Sequence, residues 1–273
     1  MQAGWLSDTE KTELLRHLSA NRTGVENYAF TARQILEAFS DPQVWILMLN
    51  ITTSATSAGI GTTYSSTLVS LLGYAPRQAA LLNTPGGAVM TISTLVTGLL
   101  TRYQIFNRTA AFCLVTSVGL IGSCIIAFVP SPTPLHPTDN RQNLPVLLAG
   151  LYLINAQVPV LAIQYAWAGA NIAGATKKAI VFSVVQGCFA IGSLIGIQTF
   201  QARDIPSGYR PAKIAVVSAQ AASLLLALVL FAYYYWQNKK KAKKSPVHDE
   251  ILAASSAWRG LSDKEDSLFR YSY

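Results

Sequence analysis

The chain has 273 residues, of which 51% are hydrophobic and 12% are charged, and its formal net charge is +8. Soluble domains contain about 25% charged residues, so this composition argues against an ordinary soluble domain. The three cysteines form no CxxC pair, and the three histidines are scattered. We therefore expect neither a disulfide framework nor a metal site, and no cofactor.

Charged residues interrupt the middle of the chain at near-regular intervals. The charge-free stretches are 42–76, 78–101, 109–138, 142–176, 179–202 and 214–238. A helix needs about 20 apolar residues to cross a bilayer. One soluble domain can bury one or two such helices, but six in succession leave too little polar surface. The pattern predicts an all-α membrane protein with six transmembrane helices, at about 44–71, 78–101, 109–129, 144–171, 179–200 and 214–236.

Polar segments flank this predicted membrane domain, which covers residues 41–238. Residues 1–40 have no apolar core of a signal peptide, and they are interpreted as a cytoplasmic loop segment. Within them, Ser7 and Glu10 fit a capping box, which predicts a short amphipathic helix over residues 9–17. The last span ends in Tyr233 to Trp236 and a lysine run, typical of an interfacial belt and of contact with anionic lipid headgroups rather than nucleic acid. Residues 239–273 are expected to form a cytoplasmic tail that is disordered from Ser245 to Tyr273.

The lysine and arginine distribution predicts the orientation. With residues 1–40 inside, nine cations lie on the cytoplasmic side and five on the outer side. The inner set is Arg102, Arg108, Lys177, Lys178, Lys239, Lys240, Lys241, Lys243 and Lys244, and the outer set is Arg77, Arg141, Arg203, Arg210 and Lys213. The positive-inside rule then places both termini in the cytoplasm.

Small and polar residues recur on one face of the first span, at Asn50, Ser54, Ser57, Gly61 and Tyr64. In lipid such a face turns toward protein or water, so it is a packing seam or the wall of a substrate path. Packing is favoured for the two serines and the glycine. For Asn50 and Tyr64 both interpretations stay open.

Other spans carry further candidates. Asn83 to Gly87, with Pro85 inside, predicts a kink or local unwinding of the second span, which would form a gate, a pocket edge or a packing kink. In the fourth span, Pro159 predicts a bend, and the glutamines on its polar face would bind substrate or another helix. Gly192 and Gly196 in the fifth predict a close helix contact. The pocket candidates are Asn50, Tyr64, Asn83, Gln157, Gln164, Asn171 and Gln186.

No aspartate, glutamate or histidine lies within any predicted span. A membrane hydrolase or redox enzyme would have no evident acid, base or ligand there, so we expect no catalytic residues and no enzyme.

Four stretches resemble a known family. They are Trp5-Leu6-Ser7 with Glu10, Arg16, Gly24 and Glu26-Asn27; Asp41-Pro42 with Trp45; Asn171, Ala173-Gly174 and Thr176-Lys177-Lys178; and Gly192, Gly196, Gln198-Thr199-Phe200 and Tyr209. In this order they resemble the C-terminal half of a major facilitator superfamily transporter, specifically the fungal anion:cation symporter family of allantoate permease-like proteins. Members of the superfamily usually carry an acidic residue where this chain has Thr101, before Arg102, so the resemblance implies that a gate lock that uses this acid is altered here.

The resemblance implies half of a twelve-helix fold and proton-coupled transport of a small organic anion, such as a carboxylate or an allantoate-like or vitamin-like molecule, by alternating access. Arg102, Arg108, Lys177 and Lys178 would act at the gating turns. The implied partners are the substrate, a proton, the lipid bilayer, and a missing N-terminal half or a second copy of the chain. The implied location is the plasma membrane. The alternative is a truncated, non-transporting membrane fragment, either a pseudogene product or a regulatory partner.

Overall fold

The computed structural model describes residues 7, 9–13, 31–71, 76–103, 105–130, 141–244, 262–265 and 269–272. Within these residues all regular secondary structure is helical, which confirms the all-α class. The helices are α1 (Ala32–Ser40), α2 (Pro42–Leu71), α3 (Pro76–Arg102), α4 (Arg108–Phe128), α5 (Leu144–Asn155), α6 (Pro159–Asn171), α7 (Ala175–Gln198) and α8 (Arg210–Lys244). Short 3-10 helices at Arg141–Asn143 and Ala202–Ser207 precede α5 and α8.

The helices can be compared with the predicted spans. By length and hydropathy, five helical segments in the described part of the chain can cross a membrane: α2, α4, α5 together with α6, α7, and α8. The second predicted span, α3, is continuous over 27 residues but is not among them. Its threonines and glycines dilute its apolar content.

The N-terminal capping box is confirmed. The Ser7 backbone N–H donates to Glu10 Oε2 at 2.9 Å, and the Glu10 N–H lies 3.4 Å from Ser7 Oγ. The hydrogen bond from the Ser7 backbone lowers the pKa of the Glu10 carboxyl. Residues 9–13 are helical, and the rest of the predicted helix, through residue 17, lies outside the described residues.

Two prolines have opposite consequences. The predicted unwinding at Asn83–Gly87 is wrong, because α3 continues as a helix through Pro85. A neighbouring helix supports this turn: the Tyr152 hydroxyl donates to the Leu82 carbonyl at 2.6 Å. The fourth span instead breaks where Pro159 predicts a bend, since α5 ends at Asn155 and α6 begins at Pro159. Ser93 Oγ of α3 donates to the Ala156 carbonyl in this break at 2.5 Å.

The bundle is organised around α2, which packs mainly on α7 and α8, while α4 packs on α5 and α8. The predicted contact of Gly192 and Gly196 is confirmed. A Cβ atom at either position would lie 2.4 Å from a carbonyl oxygen of α2, that of Thr52 or that of Thr56. The glycines therefore let the two backbones touch.

The C-terminal tail is ordered where the structure describes it, contrary to the expected disorder. Helix α8 extends to Lys244, past the predicted end of the span at residue 236. Beyond it, Ser262, Asp263, Phe269 and Tyr271 are buried against the ends of other helices. Aromatic side chains and a buried ion pair hold these residues, and neither kind of contact appears as an apolar run in the sequence.

Candidate transport path and charged end

A layer of buried amides joins three helices near the middle of the bundle. Gln164 Nε2 of α6 donates to Asn50 Oδ1 of α2 at 2.5 Å and to Ser54 Oγ at 3.0 Å. Asn50 Nδ2 in turn donates to the Ser223 carbonyl of α8 at 2.7 Å. Asn50 and Gln164 have no exposed surface. The sequence left open whether these side chains contact another helix or a substrate. In the structure they form hydrogen bonds between helices.

A second layer lies along the same faces. Gln157, between α5 and α6, donates from Nε2 to Ser57 Oγ of α2 at 3.4 Å. Gln220 Nε2 of α8 donates to Gln157 Oε1, and Gln220 is almost completely buried. Sequence reasoning missed Gln220, because a single glutamine in the most apolar span shows no helical periodicity. Its only signal was a polar residue six positions inside the predicted span, which begins at residue 214.

A cavity of about 180 Å³ opens beside this second layer. It is bounded by α2, α3, the α5–α6 break and α7, and its walls include Ser54, Gly61, Met90, Gln157, Leu161 and Phe189. Most of these walls are apolar, and Gln157 supplies an amide. The combination of apolar walls and a few polar groups is typical of small-molecule sites.

The remaining pocket candidates lie elsewhere. Asn83 accepts a hydrogen bond from Ser65 Oγ at 2.5 Å on an exposed surface. Gln186 is exposed on α7 and accepts a hydrogen bond from the Tyr165 hydroxyl. Asn171, at the end of α6, donates from Nδ2 to the Ser272 carbonyl near the C-terminus at 2.9 Å. The side chain of Tyr64 lies outside the described residues. The structure thus places Asn50 and Gln164 in the first layer and Gln157 in the second, and leaves the other candidates outside both hydrogen-bond networks.

A larger cavity, of about 390 Å³, lies between α3, α4 and α6 beside Arg102 and Arg108. Arg108 Nη1 donates to the Ala166 carbonyl at 3.1 Å. Thr101, which stands where an acid was expected, donates its hydroxyl to the Thr97 carbonyl of its own helix at 2.9 Å. Within the described residues neither arginine forms an ion pair.

The two predicted gating lysines differ sharply. Lys178 is half-buried and donates to the Gly169 carbonyl at 2.9 Å. Lys177 is fully buried, and its Nζ lies 2.6 Å from Asp263, 2.8 Å from Asp41 and 3.0 Å from Glu37. We call Lys177, Glu37, Asp41 and Asp263 the Lys177 cluster. The sequence identified the lysine but none of its carboxylates.

Neighbouring groups complete this cluster. Gln43 Nε2 donates to Asp41 at 2.7 Å and to Asp263 at 2.9 Å, which bridges the two carboxylates. The Tyr271 hydroxyl donates to Asp263 at 2.9 Å, and burial together with the negative charge of Asp263 raises the pKa of that phenol. Lys264 Nζ approaches Asp41 at 3.4 Å. Because hydrogen bonds and opposite charge compensate the buried carboxylates, they remain tolerable in the interior.

Comparison with known proteins gives a consistent set of relatives. The chain is 30% identical over 82% of its length to an uncharacterized transporter of Schizosaccharomyces pombe. It is 27% identical over 99% of its length to an MFS-type transporter of Penicillium expansum, and 28% identical over 82% to the allantoate permease of Saccharomyces cerevisiae. No family model and no solved structure matches the chain.

The matched region is only part of each relative: 42%, 53% and 40% of these three proteins, respectively. The chain therefore spans about half the length of the curated relatives that it matches. All three are named as transporters or permeases, which are not enzymes. Together with the five apolar helices, the comparisons support an integral, multi-pass membrane protein related to MFS-type transporters.

Proposed function

We propose that this chain is the C-terminal half of a secondary transporter that carries a small organic anion. The observation that carries the proposal is the cavity beside Gln157, because it lies at a helix break and is bounded by five helical segments, α2, α3, α5, α6 and α7. Discontinuous helices near the midplane are typical of transporter binding sites. The allantoate permease among the relatives suggests the class of substrate, a small carboxylate or a related anion.

The proposed membrane is the plasma membrane, with both termini in the cytoplasm. The lysine-rich end of α8 and the turn at Lys177 and Lys178 support this orientation through the positive-inside rule. The proposed coupling ion is a proton. Between Asp41 and Asp204 the only acidic residue of the sequence is Asp139, so we place the proton-carrying group in the other half of the transporter.

We expect the cavity to be reached from water. In a variant whose three cysteines are replaced by serine, Ala58→Cys or Met90→Cys should react with a water-soluble thiol reagent, since both positions line the cavity. Bound anion should slow this reaction. Ile121→Cys on α4 is the control, since this exposed apolar position faces the hydrocarbon, where the reactive thiolate does not form. Equal labelling at Ala58→Cys and Ile121→Cys would contradict the proposed pocket.

Transport itself is expected only when a second half is present. A cavity closed by two halves cannot form from one set of spans, although each apolar span should insert. We expect no saturable uptake of organic anions by liposomes that contain the chain alone under an imposed proton gradient. Uptake should appear when the N-terminal half of one of the relatives is supplied with it.

The second candidate, a non-transporting membrane fragment, is favoured by one observation, the coverage of about half of each relative. The same liposome assay separates the possibilities. Uptake by the chain alone indicates a working homodimer, whereas no uptake with any N-terminal half favours the fragment.

A further inference from the structure

Two asparagines on different helices bind consecutive backbone groups of the C-terminal tail. Asn238 of α8 donates from Nδ2 to the Tyr271 carbonyl and accepts from the Tyr271 N–H, both at 2.8 Å. Asn171 of α6 likewise donates from Nδ2 to the Ser272 carbonyl at 2.9 Å and accepts from the Ser272 N–H at 2.6 Å. Each amide therefore satisfies both the donor and the acceptor of one residue. This is how a protein holds an extended peptide in a fixed register.

Aromatic packing fixes the side chains of the same segment. The ring of Tyr271 stacks on Tyr234 of α8 with centroids 5.4 Å apart, and Phe269 meets Tyr271 edge to face at 5.2 Å. Lys241 Nζ lies 5.0 Å from the centre of the Tyr271 ring and 5.3 Å from that of Phe269. Phe269 and Tyr271 are both buried. The cleft thus takes aromatic side chains at two positions and adds a cation over their rings.

The acidic part of the tail occupies the Lys177 cluster. Asp263 has no exposed surface and receives Lys177, Gln43 and Tyr271 on its two oxygens. Beside it, Ser262 Oγ donates to Glu37 of α1 at 2.8 Å. Lys241 Nζ also donates to the Asp263 backbone carbonyl at 2.5 Å. Asp263 is therefore held by groups from α2, α7 and α8 and from the tail itself.

We infer that the ends of α1, α2, α6, α7 and α8 form a binding site for an acidic and aromatic peptide, and that its occupants are the chain's own residues 262–265 and 269–272. Lys177 and Gln43 bind the aspartate side chain of this peptide. Tyr234 and Lys241 pack on its aromatic rings, and Asn171 and Asn238 bind its backbone. The site joins the segment before the first span to the turn between α6 and α7. When the peptide is bound, the site holds these helix ends together. When the peptide leaves, the ends are free to separate. The inference is independent of transport activity.

The test nicks the folded full-length chain between bundle and tail. A flexible Gly-Ser stretch carrying a specific protease site is inserted within residues 245–261, and the purified protein is cleaved in detergent. We expect the C-terminal fragment to co-elute with the bundle on gel filtration. A synthetic peptide of residues 258–273 should displace it, whereas the same peptide with Asp263→Asn should not.

Two variants test which contacts hold the C-terminal fragment on the bundle. Asp263→Asn keeps the shape of the side chain but removes the charge buried against Lys177, so the nicked fragment should leave on the order of 30-fold faster. Ser272→Pro removes the N–H that Asn171 accepts, does not alter the cluster, and should also speed release. Glu265→Gln is the matched control: it removes one negative charge from the same segment, keeps a side-chain oxygen that can accept the Ser262 N–H, and loses only the ion pair with an Arg33 side chain that is 80% exposed. Its release rate should equal that of the unmodified fragment.

Immediate separation of the unmodified fragment after cleavage would overturn the inference. So would equal release rates for Asp263→Asn and Glu265→Gln. The uncleaved variants, run on the same column, report whether each bundle is folded, and Ser272→Pro keeps the test decisive if Asp263→Asn does not fold.

Discussion

Replacing Lys177 with methionine should destabilise the folded chain by about 3–5 kcal/mol, the usual cost of leaving a buried ion pair without one partner. Lys177 contacts three carboxylates at 2.6 to 3.0 Å, and two of them, Asp41 and Asp263, have no exposed side-chain surface. Methionine fills a similar volume, so the loss comes from the uncompensated negative charges. A denaturant titration of the purified chain, followed by tryptophan fluorescence, measures the free energy of unfolding.

Lys178→Met is the matched control for this substitution. Lys178 is adjacent in sequence and equal in charge, but it is half-buried, and among the described residues the one hydrogen bond of its side chain goes to the Gly169 carbonyl. We expect a loss of about 1 kcal/mol from this hydrogen bond. The double variant Lys177→Met/Asp263→Asn should recover part of the stability lost by Lys177→Met, because it removes one of the unpaired charges. Equal losses for the two single variants would show that the cluster does not stabilise the fold.

Gly192→Leu should separate α2 from α7 and cost about 3 kcal/mol, at the upper end of the usual range for overpacked interiors. The first added carbon would lie 2.4 Å from the Thr52 carbonyl oxygen, so backbone rather than a flexible side chain must move. The same titration measures the loss, and the variant should also shift toward aggregates on gel filtration.

Gly187→Leu on the same helix gives the control. A Cβ at Gly187 meets no atom within 4 Å, so leucine there adds volume to an open surface. We expect no loss of stability, since leucine also favours the helix more than glycine does. Similar effects at positions 192 and 187 would contradict the proposed close contact of α2 and α7.

The sequence predicted the course of the spans because membranes impose a simple rule. Charges such as Arg102 and Lys177 cannot lie in hydrocarbon without partners, so they stand near span ends, and the apolar stretches between them become helices. The break at Pro159 and the contact of Gly192 and Gly196 were also predictable, since proline lacks an N–H and glycine lacks a Cβ. These are properties of single residues and need no knowledge of neighbours.

Features that depend on partners distant in sequence were not predictable. Unwinding at Asn83–Gly87 was expected from composition, but the turn before Pro85 receives the Tyr152 hydroxyl from α5. Lys177 pairs with carboxylates that lie 86 to 140 positions away in the sequence. The carboxylates of the cluster lie in polar segments that the sequence alone suggests are exposed to water. The spacing of Glu37 and Asp41 by four residues was the one local sign of a shared acidic face.

The remote position of Asp263 has a consequence for the order of synthesis. Lys177 must wait for a partner 86 residues downstream, and a ribosome adding about 5–20 residues per second needs several seconds to supply it. Helices α1 to α8 have been translated by then, so this site closes only after the whole described bundle has been synthesised. A chain that stops early, at a premature stop codon after Lys244, would emerge with its spans intact and with Asn171, Asn238 and Lys177 lacking their tail partners. The buried groups left without partners would then distinguish a chain that lacks this segment from a chain that carries it.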